Sequence, residues 1–88
     1  MEVPFTVRIF NEDSTFVAHA PALDISTCGD TEEQARRNIQ DAVRGFLETA
    51  GEHGRLDEVL EECGYRLEGG RWKEPEIVAE EQMKVAVG

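Results

Sequence analysis

Between Leu23 and Ala35 the chain reads Leu-Asp-Ile-Ser-Thr-Cys-Gly-Asp-Thr-Glu-Glu-Gln-Ala, and this junction constrains the fold more than any other stretch. Leu23 and Ile25 alternate with Asp24 and Ser26, the period-two pattern of a strand with one buried face. Gly29 ends that strand. Asp30-x-x-Glu33 and Thr31-x-x-Gln34 each fit a capping box, in which side chains satisfy the orphan N–H groups of a helix start. Glu32 and Glu33 also suit the positive end of the helix dipole. Ala35, Ile39, Ala42, Val43, Phe46, Leu47 and Ala50 then recur at three- and four-residue steps, with Arg36, Arg37, Gln40, Asp41, Arg44 and Glu48 opposite. An apolar stripe of that width must face a core. The chain therefore delivers a strand directly into a long amphipathic helix.

Upstream, Phe5, Val7 and Ile9 alternate with Thr6, Arg8 and Phe10, a first strand. Asn11-Glu12-Asp13-Ser14 is turn chemistry, because these short polar side chains bond their own backbone. Thr15 to Ala20 reads as a second strand, and Pro21 interrupts it. Three strands in succession predict an antiparallel meander. Downstream, Gly51 and Gly54 break the helical pattern. Leu56, Val59, Leu60 and Cys63 define a short second helix, and Gly64 sits where a terminating glycine belongs. Gly69-Gly70 between Tyr65–Glu68 and Arg71–Lys73 suits a hairpin turn. Met83, Val85 and Val87 alternate with Lys84 and Ala86, which predicts a last strand. A helix over 76–84 is the rival, since Glu, Ala, Gln and Met favour helix. The order is β-β-β-α-α-β, an α+β fold with two helices on one face of a three- to four-stranded antiparallel sheet. Residues 1–88 form one domain, with its core in 4–64 and an arm in 65–88.

Nine basic and nineteen acidic residues give a formal charge of −10. Nucleic-acid binding rests largely on neutralising phosphates with Lys and Arg. An excess of carboxylates this large therefore argues against direct nucleic-acid binding by the chain alone. The same field would speed encounter with a basic protein, and it also keeps a small domain soluble. A chain of this length buries only roughly 60–65% of its unfolded surface, so self-association is a natural way to bury more. No apolar run is long enough to span a membrane, and the first residues lack the pattern of a secretory signal. We expect a cytoplasmic protein.

Chemistry is hard to find. Cys28 and Cys63 have no second Cys or His at metal-ligand spacing, and they read as small half-buried apolar groups. His19 lies between alanines and His53 between glycine-containing turns. No pair of acids is placed by sequence to act as general acid and base. Cys28 lies just before a helix start, which can lower a thiol pKa, but no base is positioned to use it. We expect no enzyme and no cofactor.

Phe16-Val17-Ala18, Pro21, Leu23-Asp24, Gly29-Asp30-Thr31, Glu33, Ala35, Asn38 and the run to Phe46-Leu47 together resemble the HicB family of antitoxins. Leu56…Val59-Leu60…Gly64 resembles the branch with a short second helix. The resemblance covers residues 4–64 well and the remainder loosely. It implies a partial ribonuclease-H-like fold without the acidic metal cluster of a working nuclease. It also implies a partner, a small basic mRNA-cleaving toxin of the HicA type, and assembly as a homodimer or homotetramer. Many members carry a C-terminal DNA-binding element; here the tail is acidic and too short for a helix-turn-helix.

On this reading, Asp24, Asp30, Glu32 and Glu33 form an acidic strand-to-helix corner that meets the toxin, unless capping and turn formation account for them. Trp72 is either a partner anchor or a cover for the end of the sheet. Met83, Val85 and Val87 are candidates for self-association through a free edge strand. The competing reading is an orphan oligomeric domain with no toxin, in which the open sheet face and the tail serve assembly.

Overall fold

The computed structural model describes residues 1–88 and is α+β. Strands β1 (Arg8–Glu12), β2 (Thr15–Ala20) and β3 (Ile25–Gly29) precede helices α1 (Glu32–Glu52) and α2 (Leu56–Glu62). A hairpin of β4 (Arg66–Glu68) and β5 (Arg71–Lys73) follows. The first three strands form an antiparallel sheet in the order β1-β2-β3, and β4-β5 is a separate two-stranded sheet.

Turn chemistry sets the meander. Glu12 pairs with Thr15, so only Asp13 and Ser14 form the first connection. Asp13 takes a left-handed backbone, φ 57°, which Asp tolerates because its carboxylate can bond locally. The second connection differs from expectation. Leu23 N–H and Asp24 N–H donate to the carbonyls of Ala20 and Pro21, and Asp24 sits at φ 53°. Residues 21–24 are thus a turn, and β3 begins at Ile25 rather than Leu23. Leu23 is nevertheless buried, held beneath the turn.

Register decides which side chains meet the helix. Ile9 pairs with Ala18 and Ala18 with Thr27, while Ala20 pairs with Ile25 and Phe16 with Gly29. Ala18 and Ala20 are wholly buried beneath Ala35, Ile39 and Val43 of α1. Small residues on β2 and at the start of α1 let helix and sheet approach closely. At Gly29 the approach reaches its limit, since a Cβ there would lie 2.7 Å from the Ala35 nitrogen. Phe46 does not share this core; it is 41% exposed and lines a shallow groove with Thr49, His53 and Val59. The apolar stripe is therefore narrower than the sequence pattern suggests at the helix's second half.

Thr31 is the N-cap of α1, accepting from the Gln34 N–H at 3.0 Å, while Gln34 Oε1 accepts from the Asp30 N–H at 2.6 Å. Of the two overlapping boxes, the threonine–glutamine one forms in part: Thr31 caps as expected, while the glutamine bonds the N–H of Asp30, one residue ahead of the cap. The helix runs through Gly51 and ends at Gly54. There Gly54 N–H donates to Gly51 O and Arg55 N–H to Ala50 O; Gly64 to Glu61 and Tyr65 to Leu60 repeat the scheme after α2. Both are Schellman endings, with the left-handed position given to glycine.

Leu60, Tyr65 and Trp72 close the core. The Tyr65 hydroxyl donates to the Pro4 carbonyl at 2.7 Å, tying the hairpin side of the fold to the segment before β1. Beyond Lys73 there is neither strand nor helix. Neither the expected last strand at Met83–Val87 nor the rival helix over 76–84 forms in the single chain. A strand needs a neighbour to satisfy its backbone, and no element of the same chain lies beside these residues. The radius of gyration, 15.4 Å, exceeds the roughly 12 Å of a compact chain of this length, because the tail projects.

Two substitutions test the close seating of α1. Gly29→Ala should lower stability by about 1–3 kcal/mol, since α1 must shift to admit the methyl group. Gly45→Ala, in a helix interior with open space around it, should raise it by about 0.5–1 kcal/mol. Urea unfolding midpoints read both, and equal effects of one sign would contradict the packing described. Burial, and then the carboxylate of Glu74, push the phenol of Tyr65 up to about 12. The unfolded phenol ionises near about 10, so the folded state holds the proton more tightly. Its stabilising contribution is complete below about pH 10 and is lost as pH rises towards about 12. Because the chain has one tyrosine, tyrosinate absorbance should show a midpoint near about 12 folded and near about 10 in denaturant.

Candidate protein-docking surface

Both helices lie on one side of the three-stranded sheet, which leaves the other side open. The register orders that open side into rows: Arg8, His19 and Ser26; Phe10, Val17 and Cys28; and Glu12 with Thr15. Asp30 follows Gly29 at the same end as Glu12. The middle row is apolar, with Phe10 49% exposed and Cys28 exposed. One end row carries Arg8 and His19, and the other carries acids.

The acidic end is not the corner read from the sequence. Asp24 and Asp30 stand at opposite ends of β3, about 20 Å apart for six residues of extended chain. Asp24 belongs with His19, whose Nε2 lies 3.7 Å from the carboxylate. In its place the antiparallel register brings the β1–β2 turn beside the start of α1. Glu12 and Asp13 therefore join Asp30, Glu32 and Glu33. Chain-neighbour reasoning missed these two; the two-residue turn signal at Asp13-Ser14, combined with strand pairing, could have found them.

The five acids differ in how free they are. Glu32 and Glu33 are ion-paired with Arg36 and Arg37 at 2.8 and 3.1 Å, one helical turn on. Exposed pairs of this kind contribute little to stability, but they blunt the local field. The Asp30 carboxylate is exposed and is not the helix cap, a role that falls to Thr31. Asp13, Asp30 and Glu12 make no ion pair within the chain and carry the net charge of this end.

Trp72 is 5% exposed. Of its two sequence readings, the indole belongs to the core, and its place among partner-binding residues is corrected: the hairpin turns this face of β5 inward, against Leu60 and Tyr65. Met83, Val85 and Val87 are 79–93% exposed, as are Ile77 and Val78 at 64% and 90%. The tail is anchored only near its root, where Thr6 N–H and Oγ1 donate to the Glu74 carboxylate at 3.0 and 2.9 Å and Arg8 pairs with Glu80.

No group of three His, Cys, Asp or Glu side chains is arranged to hold a metal ion. No helix is long and apolar enough to cross a membrane. The surface offers charge, one apolar row and the free backbone edge of β1. No family model, characterised protein or solved structure matches the chain.

Proposed function

We propose that the chain is an antitoxin-like protein of the HicB kind, which binds a small basic mRNA-cleaving toxin of the HicA type and occludes its RNA-binding face. The observation that carries this reading is the convergence of Glu12, Asp13, Asp30, Glu32 and Glu33 at one end of the sheet, next to the exposed Phe10 row. An RNA-gripping protein presents a basic face. A compact acidic end, bordered by an apolar strip, complements it in charge and supplies the desolvated anchor that charge alone does not give. The family resemblance of residues 4–64 supplies the class of partner. In this reading the protein is cytoplasmic, acts without catalysis or cofactor, and does not bind nucleic acid by itself.

The exposed apolar residues Met83, Val85 and Val87 favour a second reading, an orphan domain whose tail and open face serve only assembly. A pull-down of the tagged chain from its native lysate at low salt separates the two. The antitoxin reading expects a small basic protein, released by salt and toxic when expressed alone. Recovery of the chain by itself favours the orphan. With the partner in hand, Asp30→Lys combined with Asp13→Lys should slow association about tenfold at low ionic strength. The difference should shrink as salt screens the field. Unchanged association rates at low salt would remove the acidic end from the docking surface.

A further inference from the structure

The outer edge of β1 has unpaired backbone and a self-complementary sequence, and the two properties coincide. The two-residue turn places Glu12 and Thr15 in a hydrogen-bonded pair, so Arg8, Phe10 and Glu12 direct their backbone groups towards β2. Ile9 and Asn11 direct theirs outward, and no hydrogen bond outside the sheet ladder involves either backbone. Such a row is a template for another strand. The far edge of the sheet is better protected, since Asn38 Nδ2 donates to the Cys28 carbonyl at 2.9 Å.

We propose that β1 pairs antiparallel with β1 of a second copy about a two-fold axis through Phe10, joining two meanders into one continuous sheet. Arg8-Ile9-Phe10-Asn11-Glu12 read against itself in this register sets Arg8 opposite the partner's Glu12 and Glu12 opposite the partner's Arg8. Ile9 faces the partner's Asn11, in the hydrogen-bonded positions that their outward backbone groups require. Phe10 meets the partner's Phe10 in the closely spaced, non-hydrogen-bonded site, which suits an aromatic pair. Shifting the register by two residues either way would lose the charge match and leave both rings exposed. The arrangement is isologous and closes at two copies, so it does not propagate into a fibre.

Three further observations suit a second copy as the occupant. Phe10 is an aromatic set between Arg8 and Glu12 on the open face of β1, with 49% of its surface open. Only nine of 88 residues are buried, so the single chain has a thin core and much to gain from an interface. Edge pairing over five residues is small beside the roughly 800 Å² per partner of a stable interface. The tail can supply more, because Glu80 sits on Arg8 at one end of this edge. Beyond Glu80, Met83, Val85 and Val87 are exposed and offer further apolar surface to an interface. Arg8 has donors enough for both Glu80 and the partner's carboxylate, and its side chain is 47% exposed.

Sedimentation equilibrium of the isolated chain at low salt tests the proposal, independently of any toxin. The wild type should be a dimer. Arg8→Glu and Glu12→Arg should each weaken it at least about tenfold, because each places like charges opposite one another twice. In a Glu80→Gln background, which removes the tail's own charge beside position 8, the exchanged double variant R8E/E12R should recover affinity to within about threefold of that background. Asn11→Pro removes an outward donor and leaves the bonds to β2 intact, so it should weaken the dimer while circular dichroism shows the fold retained. In a background lacking Cys28 and Cys63, Phe10→Cys should oxidise to an intermolecular disulfide, since paired Cα atoms at that site lie within bridging distance. A monomeric wild type would overturn the proposal. So would single reversals without effect, a double exchange that fails to restore association, or a dimer lost only when residues 82–88 are deleted.

Discussion

The seating of α1 against β3 is the contact on which the rest of the molecule depends. Three devices converge there within a few residues. Gly29 lets the helix start pass at a distance no side chain would allow. Thr31 Oγ1 accepts from the Gln34 N–H inside the first turn, and Gln34 Oε1 accepts from the Asp30 N–H just ahead of the cap. Thr27 Oγ1 and Asn38 then bond the Ala35 and Cys28 carbonyls at 3.3 and 2.9 Å, stitching helix to strand on both sides of the turn. Because these fix where α1 begins, they also fix which residues of it cover Ala18 and Ala20. Direct delivery of strand into helix forces both helices to one side, and the bare opposite face follows.

Elements governed by local periodicity were legible in the sequence. The meander and α1 follow from alternation and from a three- and four-residue stripe, and the capping threonine and the terminating Gly54 and Gly64 follow from local backbone needs. Elements governed by what comes to lie beside them were not. Asp24 belongs to the polar half of an alternating pattern, yet its left-handed backbone makes it a turn residue, because a tight return from β2 needs such a conformation after Pro21. Trp72 lies in a short hairpin whose inward face is set only once Leu60 and Tyr65 are in place. Met83, Val85 and Val87 carry a strand pattern with no strand beside them, and pattern without a pairing partner does not make structure.

The acidic surface shows the same division. Glu32 and Glu33 were visible as acids in a helix's first turn, but their pairing with Arg36 and Arg37 lowers what they can offer to a partner. Asp30 gains in importance because the cap it could have provided is provided by Thr31. Glu12 and Asp13 arrive through strand register, which no linear window contains. The net charge of the chain is therefore a poor guide to where a basic partner would land. The unpaired carboxylates at the β1–β2 turn and the strand-to-helix corner are the better guide.

Charge on this sheet also has a direction, and direction restricts what can bind. Along β1 the basic residue stands at one end, the acid at the other and the aromatic between them, so an antiparallel copy matches where a parallel one would set like against like. A basic ligand approaching along the sheet meets Arg8 and His19 at one end and carboxylates at the other, which orients it before any contact forms. Self-pairing would engage Glu12 with Arg8, whereas Asp13 and Asp30 lie beyond the paired strand and would stay free. The acidic end can therefore stay open in the dimer, with Val17 and Cys28 as its apolar border once the Phe10 rings pair. A dimer built on β1 would carry two acidic ends, related by the two-fold and facing away from the shared strand pair.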